Sequence, residues 1–288
     1  MIKIKRDLQK LEQDIDALVP TWRTRAKAKT KKFIRLRRYE ETSSIWSEVK
    51  EIFSKLQNNR CVYCQRALAG TTFGSGEHDL EHFRPKGRVS AYPSPNDSVR
   101  FSFSTGSSQA NGYYWLTYSL ENYAVACISC NRGLKADGFP ISGTRGTAKT
   151  SVANLNVTEQ PLLLFPFVDD PEEFITFFGQ TPMPKFKRGI KYRRALVTIA
   201  FFALADERRE ELYRERFRVI SELWVQYNTI QESRVVAIKQ KAQVRIETLS
   251  NPESEHSACA RAFYQLLKSN PERAWEVYEE AVEYPKRR

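Results

Sequence analysis

The spacing of apolar residues divides the chain into stretches of different character. Up to about residue 58 the period is helical. Leu8, Leu11, Ile15 and Leu18 recur every three or four positions, Pro20 interrupts, and Ile45, Val49, Ile52, Phe53 and Leu56 resume the period before Asn58-Asn59. From residue 59 to about 141 the period is lost and Gly, Ser and Pro accumulate. Here Ser90 to Gly112 reads as a long loop, with a short strand expected at Val99–Phe103. Residues 142 to about 190 are mixed and carry Pro161, Pro166, Pro171, Pro182 and Pro184. From about 191 onward the helical period returns in Tyr213, Phe217, Ile220, Trp224 and Tyr227, then in Val235, Ile238, Ala242, Ile246 and Leu249. Asn251-Pro252-Glu253 and Asn270-Pro271-Glu272 each carry a helix-start signal: a capping Asn, a first-turn Pro and an acid at the positive helix end. The apolar stripe of this region reads as core packing or a helix–helix interface, through which the chain could also oligomerise. No repeat of fixed period is present. The expected division is a basic helical region over 1–58, a compact domain over 59–141 and a mostly helical region over 142–288.

Composition narrows the class. With 288 residues, 41% of them hydrophobic, the chain can bury a sizeable core. No apolar run approaches the roughly 20 residues that span a bilayer, and Met1–Arg6 lacks the apolar stretch of a secretory signal, so a cytoplasmic protein without membrane association is expected. The net charge of +12 suits a polyanionic partner. Much of it lies between residues 23 and 38, where Arg23, Arg25, Lys27, Lys29, Lys31, Lys32, Arg35, Arg37 and Arg38 stand with no acid among them, flanked or interleaved by Trp22, Phe33 and Tyr39. This run is expected to meet nucleic-acid phosphates, with a protein partner as the alternative.

Four of the five cysteines form two Cys-x-x-Cys pairs, Cys61/Cys64 and Cys127/Cys130. Two such knuckles complete a tetrahedral, closed and therefore structural zinc site. Cys259 stands alone among Ala258, Ala260 and Phe263 and reads as a small buried hydrophobe. Between the pairs lies Asp79-Leu80-Glu81-His82-Phe83-Arg84-Pro85-Lys86, a strand pattern ending in a sharp stop. Asn122 precedes the second pair, Asn131 follows it at once, and Lys135 lies one helical turn on. Adjacent strand residues point to opposite faces, so Glu81 and His82 can share a site only if the backbone is twisted there, which the break at Arg84-Pro85 would permit. His78, after Gly74-Ser75-Gly76, is expected in an exposed loop, as a weaker candidate for substrate contact. The acids Asp169, Asp170, Glu172 and Glu173 around Pro171 read as a helix start, with an active-site or partner surface as the alternative.

These residues resemble the HNH endonuclease motif in its zinc-stapled form. More closely, EHFRPK (81–86), WL (115–116), ENYAVACISCNRGLK (121–135) and GFP (138–140) resemble the HNH nuclease subunit of Septu-type anti-phage systems, which also occurs beside some retrons. EQPLLLFPFVDDPEEF (159–174) and the stretch 194–223 are similar to the same family, so the likeness covers roughly residues 45 to 225 and is most specific in the nuclease core. The resemblance implies an α+β chain with a small zinc-stapled ββα-metal core between mostly α-helical regions. It implies hydrolysis of DNA phosphodiester bonds, with His82 as general base and Glu81 and Asn131 as ligands of Mg²⁺ or Mn²⁺. Asn122 would hold the His82 loop, Lys135 would contact a phosphate, and Arg84 and Lys86 join the nucleic-acid contacts. It also implies an ABC- or SMC-like ATPase partner and a defence role. Two positions depart from the common pattern: Asn131 stands where many relatives have His, and Glu81 where many have Asp. Rival readings are a non-catalytic zinc module that binds nucleic acid, an HNH nuclease acting on RNA, and an assembly protein built on the C-terminal helices.

Overall fold

The computed structural model describes residues 1–68 and 76–283. Its contacts divide the chain into two compact units. One holds Ile4–Tyr63 with the described residues of Ala67–Asp169; the other holds Met1–Lys3, Cys64–Arg66 and the described residues of Asp170–Arg288. The chain is α+β, as expected. No helix among the described residues is long and apolar enough to cross a membrane.

In the first unit the two helical periods become α1 (Leu8–Leu18) and α3 (Lys50–Leu56), the latter entered through a 3₁₀ turn at Trp46–Val49, and the basic run between them forms α2 (Trp22–Leu36). The Asp7 carboxylate caps α1 by accepting from the N–H groups of Gln9 and Lys10 at 2.9 and 3.1 Å. Leu11 and Ile15 of α1, Trp22, Ala26 and Phe33 of α2, and Phe53 of α3 are buried. After α3 both Asn58 and Asn59 take positive φ, 50° and 53°, in a turn that suits Asn better than most residues. Strand β1 (His78–His82) pairs antiparallel with β2 (Tyr123–Cys127), placing His82 opposite Tyr123 and Glu81 opposite Ala124. Directly after β2 the chain winds into a seven-residue π-helical turn, Ser129–Lys135. Helix α4 (Val152–Glu159), begun by Ser151, closes the unit.

Two readings of this region are corrected. His78 is fully enclosed as the first residue of β1, not an exposed loop residue, because it pairs with Cys127 in the ladder; Gly74 and Ser75 lie outside the described residues. Val99–Phe103 forms no strand. There the Asp97 carboxylate accepts from Ser94 N, and the Arg100 guanidinium donates to the carbonyls of Pro95, Asp97 and Val99, so side chains hold the backbone in turns instead of a ladder.

The second unit contains the antiparallel hairpin β3 (Ile175–Phe178) and β4 (Thr181–Pro184), then α5 (Gly189–Phe201), α6 (Glu210–Glu232), α7 (Val236–Ser250), α8 (Ser257–Ser269) and α9 (Pro271–Glu283). Its core joins Ile220 and Leu223 of α6 to Ile246 of α7, Cys259, Phe263 and Leu267 of α8, and Val277 of α9. Cys259 is the buried hydrophobe expected: its thiol donates to Gly179 O at 3.3 Å and burial pushes its pKa up to about 12. The acidic cluster is the helix start expected: Asp170 caps a 3₁₀ turn at Pro171–Glu173, Glu172 pairs with Arg261 and Glu173 with Lys191.

The two Asn-Pro-Glu signals behave differently. Asn270 does cap α9, its side-chain oxygen accepting from Arg273 N at 3.0 Å. Asn251 accepts from Glu253 N, but the helix starts only at Ser257. Ser254 Oγ donates back to Thr248 O and His256 takes a left-handed φ of 49°, so this segment is spent on a turn.

Candidate active site and four-cysteine centre

The first Cys-x-x-Cys pair follows α3 and the second joins the end of β2 to the π-helical turn. Gln57, at the end of α3, closes the distance between them: its side-chain oxygen accepts from Val125 N at 2.6 Å and its amide donates to Val125 O at 2.8 Å. Val62 N donates to the same carbonyl at 3.1 Å. The result is one cluster of Cys61, Cys64, Cys127 and Cys130, all buried, with sulfurs within 4.8 Å of one another. Tetrahedral zinc with Zn–S near 2.3 Å sets sulfurs about 3.8 Å apart, so these thiols fit a structural metal such as zinc.

Beside this cluster a cleft of about 350 Å³ runs along β1, bordered among others by Trp46, Glu81, His82, Lys86 and Asn131. The only partner of β1 in its sheet among the described residues is β2, so its other edge is open. Both Glu81 and His82, neighbours on the strand, border this cleft. Pairing continues through Phe83 N, which donates to Asn122 O at 2.9 Å.

The His82 ring lies edge-on between Trp46 and Tyr123, with centroids 5.1 Å from each. Its Nε2 is 3.0 Å from Thr117 O. A carbonyl only accepts, so Nε2 carries the proton and the lone pair sits on Nδ1. Burial first, then the Lys86 cation, pushes the imidazole pKa well below its ordinary 6.5, so the ring is neutral near pH 7.

Glu81 turns to the other side. Its Oε1 accepts from Lys135 Nζ at 2.9 Å and Tyr63 OH at 3.1 Å, which leaves Oε2 outside these bonds. Burial raises the carboxyl pKa, and Lys135 opposes that shift. Lys135, enclosed and also donating to His82 O at 3.1 Å, is thus placed as an internal counter-ion and not at an open phosphate contact. Asn122 holds the chain after β1: its Oδ1 accepts from Arg84 N at 2.8 Å and its Nδ2 donates to Arg84 O at 3.0 Å. Gly112 then lies so close that a Cβ there would meet Pro85 O at 2.3 Å, and only glycine permits this clamp on the cleft's rim.

The cations divide. Arg84 is corrected from a nucleic-acid contact to a structural residue: it is 1% exposed, and it donates to buried Glu159 at 2.8 Å and to Asn156 at 3.0 Å. Lys86 stays at the cleft, its Nζ 4.5 Å from the Trp46 ring centre and 5.4 Å from that of Tyr39. On α2, Arg23 pairs with Glu12 and Asp16, Arg25 with Glu48 and Lys29 with Glu41, while Lys32 donates to Glu40 O. Acids outside the acid-free run thus pair with its Arg23, Arg25 and Lys29. Lys27, Lys31 and Arg35, spaced four apart on the helix, are exposed. Sequence reasoning missed Trp46, Gln57 and Thr117, which lie outside any motif, and Tyr63, an intervening residue of the first Cys-x-x-Cys pair. It also passed over Asp79, which borders the cleft and pairs with Arg132 at 2.6 Å. Its signal was legible: it stands two residues before Glu81 on the same strand face.

The site thus defines an α+β chain with a four-thiol centre able to hold a metal and a polar cleft beside it. Over 182 residues the chain is 31% identical to the Septu protein PtuB of Bacillus mycoides (strain KBAB4), across 61% of this chain and 52% of that protein. The likeness to the Septu family read from the motifs is borne out by this match. The chain spans about half the length of the curated relative it matches. No family model matches, and no solved structure matches.

Proposed function

We propose that the chain is a metal-dependent HNH-type endonuclease that cleaves DNA as the effector of a bacterial anti-phage system, acting in the cytoplasm with an ATPase partner of the ABC or SMC-like class. The observation that carries the reading is the polarity of His82: its Nε2–H is spent on the Thr117 carbonyl, and a neutral ring keeps its Nδ1 lone pair beside a cleft rich in oxygen donors. A non-catalytic zinc module has no use for that arrangement.

Glu81 and Asn131, with Asp79 on the same cleft, form a hard oxygen donor set that fits Mg²⁺ or Mn²⁺ and would hold it. When bound, such a cation stabilises the negative charge that builds on the phosphate. His82 Nδ1 takes the proton from water as the water oxygen attacks phosphorus. The bond to the 3′ oxygen breaks, and that oxygen takes its proton from solvent. The Thr117 carbonyl steadies the imidazolium that forms, and Lys86 draws in the phosphate. Asn122 keeps the His82–Lys86 segment in register. The four cysteines would hold zinc and anchor the turn that carries Asn131.

The test is incubation of the purified protein with supercoiled plasmid and, separately, labelled RNA, in Mg²⁺ or Mn²⁺. Metal-dependent nicking or linearisation of the plasmid, abolished by chelator, supports the reading. Cleavage confined to RNA would replace the substrate.

A further inference from the structure

The second unit carries a basic surface of its own. Lys185–Arg194 reads Lys-Phe-Lys-Arg-Gly-Ile-Lys-Tyr-Arg-Arg, with no acid in the run. Residues 185–188 join β4 to α5, and every residue from 185 to 190 is exposed. Two of its cations have partners at the surface: Lys185 donates to Glu172 O at 2.9 Å, and Lys191 pairs with Glu173 at 3.0 Å. Lys187 and Arg188 make no ion pair with any described residue, and the first turn of α5 contributes no acid. Between and beside them Phe186 and Ile190 stand 44% and 46% exposed. Lys191 Nζ also lies 5.6 Å from the Phe186 ring centre, so the paired lysines flank the strip, while Lys187, Arg188 and part of the Phe186 ring are left to solvent.

We propose that this strip, centred on Lys187 and Arg188, is a second nucleic-acid contact that takes phosphates of the DNA backbone, with Phe186 offering a face for an unstacked base. The proposal rests on DNA as the substrate of the cleft. Free cations beside an exposed aromatic ring are the pattern that binds a phosphate chain without reading sequence. An anionic lipid surface would also meet the charge, and the test separates the two.

The experiment measures binding, not cleavage, so it does not depend on the nuclease chemistry. Wild type, K187A/R188A and K239A/K241A are titrated in EDTA with a fluorescein-labelled DNA duplex and single strand over a series of salt concentrations, and with phosphatidylserine vesicles. The last variant removes the same charge from α7. Unchanged thermal melts establish that each variant folds. The expected result is about tenfold weaker binding by K187A/R188A, with a salt slope shallower by about 2, and little change in the α7 variant. Equal losses in the two variants would reduce the strip to bulk charge and overturn the proposal. Unchanged DNA binding in K187A/R188A would also overturn it, as would a loss confined to phosphatidylserine vesicles, while leaving the nuclease reading intact. No DNA binding by wild type would overturn both.

Discussion

Lys135 Nζ lies 2.9 Å from Glu81 Oε1, and neither side chain has more than marginal exposure to solvent. A residue placed by its motif at a phosphate is therefore the counter-charge of the site's own carboxylate. Removing one partner of an enclosed pair leaves an uncompensated charge, at a cost of about 3–5 kcal/mol. Lys135→Met should lower unfolding free energy by that order in chemical denaturation. The double variant Lys135→Met/Glu81→Gln should recover much of the loss. A double variant as unstable as the single one would show that packing, not charge, holds Lys135.

The imidazole of His82 gives a pH prediction. Its pKa is depressed by burial and by Lys86, so the neutral form persists below the ordinary 6.5. Protonation removes the base, so activity should fall with falling pH only below 6.5, and kcat/KM should be level from there through neutrality. An acid limb centred at or above 6.5 would mean the ring is not enclosed as described.

Asn122 should be intolerant of small changes. In Asn122→Asp the acceptor toward Arg84 N survives, but the donor toward Arg84 O becomes a second acceptor facing a buried carbonyl. The loss should be about 2–4 kcal/mol, measured by denaturation, and Asn122→Ala should fare no worse.

Arg84 and Lys86, two residues apart, should separate stability from binding. Arg84→Met strands Glu159 and should cost about 3–5 kcal/mol, with no change in the salt dependence of DNA binding. Lys86→Ala should leave the melt almost unmoved and make the salt slope shallower by about 1.

Zinc should copurify at about one ion per chain, and Cys127→Ser or prolonged chelation should release it with a stability loss of several kcal/mol. Elemental analysis with a parallel melt checks both. A chain that holds no zinc yet melts normally would contradict the role given to the cysteines.

What was legible in the sequence is what covalent spacing dictates. Helical periods gave α1, α3, α6 and α7, the Asn270-Pro271-Glu272 signal gave the start of α9, and two Cys-x-x-Cys pairs gave the thiol cluster. What was not legible depends on distant partners. The acid-free run around α2 reads as free charge until Glu41 and Glu48 fold against it. Arg84 reads as surface until Glu159, 75 residues on, encloses it. His78 reads as loop because its burial comes from Cys127, across the ladder.

The central claim is that His82 is the base of a metal-dependent nuclease, and single-turnover plasmid cleavage by wild type and His82→Ala in Mg²⁺ or Mn²⁺ tests it most directly. The account predicts chelator-sensitive nicking by wild type and a rate at least about a hundredfold lower in the variant. Cleavage undiminished in His82→Ala, or no metal-dependent cleavage by wild type, would contradict it.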